Sequence, residues 1–155
     1  MAVTPTQTDY DLVQMNTRNA KIKVELLNFN FQTISSLEGK TTSGSIEVDA
    51  NSDIRRTCNL SLVAKDIDEN MISEGGELWL DKYIKIYQGI DNPRDNNKTV
   101  WWNMGIFLIN NPNTVYSAAD HTISFEGLDL MAKLTGRRNG QLPAVATLVP
   151  AGSKI

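Results

Sequence analysis

From Lys21 to Leu26 the chain alternates without exception: Ile22, Val24 and Leu26 are apolar, while Lys21, Lys23 and Glu25 are charged. Successive side chains of a strand point to opposite faces, so this period of two marks a half-buried β-strand. The parity then flips, because Leu27, Phe29 and Phe31 continue the apolar series on odd positions. A one-residue slip sends every following side chain to the other face. The flip therefore predicts a bulge near Leu26–Leu27, or a second strand that buries its opposite face.

The same period recurs downstream. Gly39 and Gly44 bracket a turn, and residues 45–49 form a short strand carrying Ile46 and Val48. Residues 57–64 follow with Cys58, Leu60, Leu62 and Ala64 inward and Thr57, Asn59 and Ser61 outward. Residues 66–76 are a polar loop. Residues 78–90 carry Leu80, Ile84 and Ile86 against Tyr83, Lys85 and Tyr87. A Pro- and Asn-rich turn at 91–98 joins them to residues 100–109 in a hairpin. Pro112 then breaks the strand, and residues 122–126 form another with Ile123 and Phe125 inward. Only residues 129–135 read as a helix: Asp129 caps it, Leu130, Met131 and Leu134 make its apolar stripe, and Gly136 ends it. Six or seven strands, one short helix and no βαβ spacing predict a mainly β fold, an antiparallel barrel or sandwich.

At 155 residues the chain fits one domain with its own core. Residues 1–20 are polar and aperiodic, the expectation for an extended N-terminal arm; 21–140 form the β domain, and 141–155, mildly apolar with Pro143, Pro150 and Gly152, a C-terminal connector. A net charge of −3 gives no electrostatic case for nucleic-acid binding. No apolar run is long enough to span a bilayer, so no membrane insertion is expected. The N-terminus lacks the basic and apolar regions of a signal peptide, and the lone Cys58 excludes an intrachain disulfide framework. Both point to synthesis in a cytoplasm.

Candidate chemistry is sparse. Gly39-Lys40-Thr41 ends like a phosphate-binding loop, but Ile34 stands where that motif needs Gly. Asp66, Asp68, Asn70 and Glu77 match the ligand intervals of a calcium loop, with Glu77 in the bidentate position. Met71 occupies the position that requires Gly for the sharp turn, so a solvated acidic loop is the expectation. His121 is the only histidine, and zinc would find only Cys58 beside it. Cys58 itself lies on an apolar face, as a small core residue does. No metal, cofactor or catalytic set is expected.

Trp101-Trp102 is the most informative local feature. Neighbours on a strand face opposite sides, so one indole enters the core and the other is covered by the arm or helix, or joins a subunit interface. Arg137-Arg138, just past the helix, is either a solvated end or a further interface pair.

Three stretches carry a resemblance. The first is Gly44-Ser45-Ile46-Glu47-Val48-Asp49 followed by Ile54-Arg55-Arg56-Thr57-Cys58. The second is Trp102-Asn103-Met104-Gly105-Ile106-Phe107-Leu108-Ile109 with Asn111-Pro112 behind it. The third runs Ile123-Ser124-Phe125-Glu126-Gly127-Leu128-Asp129 into Leu130-Met131-Ala132-Lys133-Leu134. In this order they resemble the N-terminal domain of tail baseplate hub proteins from bacteriophages and prophage tail particles. In that family a strand entering with Gly and an aromatic leads to one ending in an Asp that starts a short helix.

The resemblance implies a tail-tube-like β-barrel assembling as a homotrimer. It implies a place in the virion, at the tail tip, between the tail tube or distal tail protein and the tip. The channel it lines would admit the tape-measure protein and, transiently, DNA. Family members continue into a second barrel or a lytic domain, which this sequence does not include. The function expected is structural, not enzymatic. The alternatives are a carbohydrate-binding β-sandwich, with an outward Trp and Tyr83 or Tyr87 stacking on sugars, and a small cell-wall hydrolase domain.

Overall fold

A computed structural model describes residues 6–37, 41–63, 74, 76, 78–116 and 121–136. Its elements are helix α1 (Gln7–Val13), strands β1 (Ala20–Leu27), β2 (Thr33–Ser36), β3 (Thr41–Val48), β4 (Arg56–Val63), β5 (Tyr83–Asn92), β6 (Lys98–Tyr116) and β7 (His121–Asp129), and a 3-10 helix (Leu130–Lys133). The seven strands make one antiparallel sheet in the order β2-β1-β5-β6-β7-β4-β3.

The mainly β expectation holds, but the sheet is open. Its edges, β2 and β3, do not pair with each other among the described residues, so the strands do not close a barrel. The sheet is nonetheless strongly curled. Six strand spacings would separate flat edges by roughly 29 Å, whereas the five residue steps from Ser36 to Thr41 reach only about 18 Å. The Thr41 hydroxyl lies 3.4 Å from the Leu37 carbonyl oxygen, within hydrogen-bond distance. The two edges therefore converge at one end.

Curling gives the sheet an inner face, where the alternating residues of five strands gather. Val24 and Leu26, Leu60 and Leu62, Ile84 and Ile86, Phe107 and Ile109, and Ile123 and Phe125 are buried there with Cys58. At one end the outer face is buried too. Leu27, Tyr83, Leu108 and Leu128 pack with Ile54 and with Ala132 of the 3-10 helix.

This second core explains the parity flip at Leu26–Leu27. Leu26 faces inward and Leu27 faces the 3-10 helix, and the β1–β2 ladder shifts register between them. Tyr83 was expected on the outward face and lies on it, yet it is only 1% exposed because the 3-10 helix covers that end.

Other expectations need correction. The N-terminal arm is not wholly extended. Thr6 caps α1 in a reciprocal capping box with Asp9, and Leu12 is buried. Phe29 and Phe31 do not continue a strand. They sit in the turn from β1 to β2, where the Asn28 side-chain oxygen accepts from the N–H groups of Asn30 and Gln32, both at 2.9 Å. Gly44 lies within β3, and the outer half of that strand is exposed, Val48 at 73%.

Pro112 does not break β6. The ladder with β7 skips from Asn110–Glu126 to Asn113–Ser124, and this one-residue bulge, with Asn111 at φ 47°, absorbs the missing N–H. The helix after Asp129 is a single 3-10 turn capped by the Asp129 side chain, with Gly136 beyond it at φ 81°.

Candidate functional site

The three stretches that carry the resemblance meet at one side chain. Arg56, at the start of β4, donates from Nε to Asp129 Oδ2 at 2.8 Å and from Nη1 to the Met104 carbonyl at 3.3 Å. Asp129 ends β7, and its other oxygen accepts from the Met131 N–H at 3.3 Å, opening the 3-10 helix. The guanidinium lies 6.0 Å from the centre of the Phe107 ring. Gly105 completes the arrangement. Its φ of 145° is closed to most side chains, and a Cβ there would stand 3.1 Å from both Arg56 Nη1 and the Phe107 ring. Arg56 thus braces β4, β6 and β7 at one point, a planar fork filling a role that a lysine could not.

The tandem tryptophans divide as strand geometry requires, and both are half-buried. Trp101 pairs with Gly89 across β5–β6 on the outer face; a Cβ on Gly89 would stand 2.6 Å from the indole. Lys23 Nζ lies 5.6 Å from the Trp101 ring and 4.5 Å from that of Tyr87, and Lys85 Nζ lies 4.8 Å from Tyr87. Glu25 accepts from the Tyr87 hydroxyl at 3.1 Å. A hydrogen bond from Lys23 and the Tyr87 hydroxyl hold the Glu25 carboxyl below its ordinary value, against partial desolvation. This face is an aromatic–lysine strip suited to a flat, polar-rimmed contact.

Trp102 faces the other way and meets α1. Its indole lies near the Asp9 carboxylate. The Asp9 carboxyl is held low chiefly by the Thr6 backbone N–H, then by the Thr6 hydroxyl, and to a smaller extent by Trp102. The expectation that one indole enters the core is not met: neither is among the buried core residues, Trp102 facing inward near α1 and Trp101 outward, where it remains the interface candidate.

A third surface lies at the second core. Phe31 stacks on Tyr83 with centroids 4.8 Å apart, although its φ of 61° is unusual for an aromatic residue. Lys133 donates to the Tyr83 hydroxyl and covers Phe29 at 5.3 Å. Phe29 itself is 70% exposed, with Met131 and Leu134 also open to solvent. Strand periodicity concealed this patch, because the same odd-position pattern fits a strand continuing past Leu27.

Cys58 is buried, and burial pushes its thiol up to about 12, so it packs and does not react. His121 is the first residue of β7. Tyr83 is too enclosed to stack on a sugar, and Tyr87 is half-buried. Asp66, Asp68, Asn70 and Glu77 lie outside the described residues, as do Arg137 and Arg138. Among the described residues no three His, Cys, Asp or Glu side chains gather as a metal site, and no helix is long and apolar enough to cross a membrane. The chain matches no protein-family model and no curated protein.

Proposed function

We propose that this chain is a structural, non-enzymatic domain of a phage-like tail tip, a baseplate-hub component that joins the tail tube to the tip and lines its channel. The observation that carries the reading is the Arg56 brace. Residues from three separated stretches, ordered as in hub domains, converge on one side chain, and the last stretch is a strand ending in an Asp that opens a short helix. The curled sheet supports the finer reading of a tail-tube-like barrel wall, since its edges converge between β2 and β3.

In this reading the domain works as a homotrimer in the virion, contacting the tail tube or distal tail protein and passing the tape-measure protein and DNA. The contact surfaces are the Trp101 strip and the Phe29 patch, both amphipathic and rich in aromatic side chains. Sedimentation of the purified protein tests it: a trimer is expected, and a strict monomer over the micromolar range contradicts it.

One observation favours a second reading, a carbohydrate-binding module. Trp101 and Tyr87 share the outer face with Lys23 between them, an arrangement open to sugar stacking. Glycan binding by a monomer, lost in Trp101→Ala, would select that reading over the first.

A further inference from the structure

The outer face of the sheet is unevenly charged. Lys21 and Lys23 of β1 and Lys85 of β5 stand on it together with Tyr87 and Trp101. The carboxylates among them, Asp91 and Glu25, are already paired, with Lys21 and Lys23 respectively, each at 2.8 Å. Lys85 is half-buried, and among the described residues no carboxylate forms an ion pair with it. A partly desolvated ammonium without a counter-charge is unfavourable, and an incoming carboxylate relieves it.

The opposite imbalance lies at the end of β3. Ile46 packs on the inner core, so Glu47 points outward, and Asp49 follows at the same parity. Val48 between them is 73% exposed, which places this end of the strand beyond the core. Glu47, Asp49 and Asp53 are all exposed, and none is in an ion pair among the described residues. Arg55 is the one basic residue between positions 47 and 55, and Arg56 beyond it is committed to Asp129. Strands β6, β7 and β4 separate this end from the lysines of β5. Curling turns outer-face groups away from one another, so the two features do not meet within one chain.

We propose that they meet between copies: the Glu47–Asp49 end of β3 in one copy docks on the Lys85–Tyr87–Trp101 strip of the next. This contact rests on the reading of the chain as a self-assembling hub domain, and it names the two surfaces that join. Their spacing agrees. Glu47 and Asp49, two residues apart on a strand, are roughly 7 Å from each other. The Lys23 and Lys85 ammonium groups, held 4.5 and 4.8 Å from one Tyr87 ring, present positive charge on the same scale. Trp101 and Tyr87 supply the buried area, while the charges steer the approach and set register, because exposed ion pairs add little affinity by themselves. The joined surfaces are unlike, so each copy offers one strip and one acidic end. Such a heterologous contact closes into a ring and does not stop at a two-fold dimer.

Sedimentation of the full chain tests it by charge reversal. Lys85→Glu alone, and Glu47→Lys with Asp49→Lys, are each expected to weaken self-association about tenfold or more by opposing like charges. The triple variant restores opposite signs across the contact and is expected to regain most of the loss. A second arm uses the unaltered protein and so does not depend on how the variants fold. Raising ionic strength from about 0.05 M to about 0.5 M should weaken its association severalfold. A triple variant no better than its parents overturns the proposal, as does association indifferent to salt and to both reversals. In either case a trimer that persists leaves the hub reading standing. A strict monomer in the unaltered protein contradicts the hub reading itself, and this contact with it.

Discussion

Arg56 and Asp129, 73 positions apart, join Nε to Oδ2 at 2.8 Å and so tie the start of β4 to the end of β7. The Asp129 side chain is largely enclosed and Arg56 is partly open to water. That difference sets the energy scale. Breaking a fully buried pair costs about 3–5 kcal/mol, and the solvated side of Arg56 reduces this to about 1–2 kcal/mol. Arg56→Ala is expected to lower the urea midpoint by that amount with an unchanged slope. Arg56→Lys recovers little, because one ammonium cannot reach Asp129 and the Met104 carbonyl as the planar fork does. Full recovery by lysine would show that charge alone matters there.

Gly127 and Cys58 are opposed in the β4–β7 ladder, and a Cβ on Gly127 would collide with the Cys58 sulfur and stand 2.9 Å from Phe107 Cβ. Gly127→Ala is therefore expected to destabilise the chain by about 1–3 kcal/mol through overpacking. Cys58→Ala makes room, so the double variant should be more stable than the sum of the two single changes implies. Strict additivity in denaturant unfolding would place the collision elsewhere.

The Asp9 carboxyl, lowered by Thr6 and Trp102, makes the seating of α1 pH-dependent. A depressed folded-state pKa contributes stability above the ordinary value of 3.8, and that contribution is lost as pH falls through the lower folded value. The indole N–H resonance of Trp102 is expected to titrate with a midpoint below 3.8. In Asp9→Asn it should not titrate. A midpoint above the ordinary value would mean that the capping box and the indole do not hold the carboxylate.

Much of the sheet was legible because its rule is local. Alternation at Lys21–Leu26, at Cys58–Leu62 and at Ile123–Phe125 located β1, β4 and β7 and their inward residues. The irregularity at Leu26–Leu27 was legible only in part: the extra residue is Ile34 on β2, while β1 keeps unbroken register with β5. What could not be read depended on distant cover. Tyr83 alternates outward, and it is buried by the 3-10 helix, arriving some fifty residues later by way of β7, together with the Phe31 ring stacked on it. Phe31 follows the strand period yet occupies a left-handed turn held by Asn28. Helix α1 did leave a signal, Thr6 three residues ahead of Asp9, but the polar composition around it outweighed a capping box that short. The Arg56 brace had no local signature, since each partner lies on a different strand.

Trp101 is the residue on which assembly should depend most. Its indole packs against Gly89 on the outer face, with Lys23 Nζ 5.6 Å from the ring. A tryptophan at the centre of an interface typically contributes about 2 kcal/mol or more, so Trp101→Ala should weaken self-association by roughly thirtyfold in sedimentation. Trp102→Ala should instead loosen α1 and leave association nearly unchanged, because that indole faces the inner side of the sheet near Asp9. The reverse ranking would assign the interface to the opposite face.

The most direct measurement is electron microscopy of purified phage-like tail particles decorated with an antibody fragment against this chain. A structural hub domain predicts three fragments arranged around the particle axis at the tail tip and none along the shaft. Fragments along the shaft, or particles that remain undecorated while the free protein is a glycan-binding monomer, would contradict it.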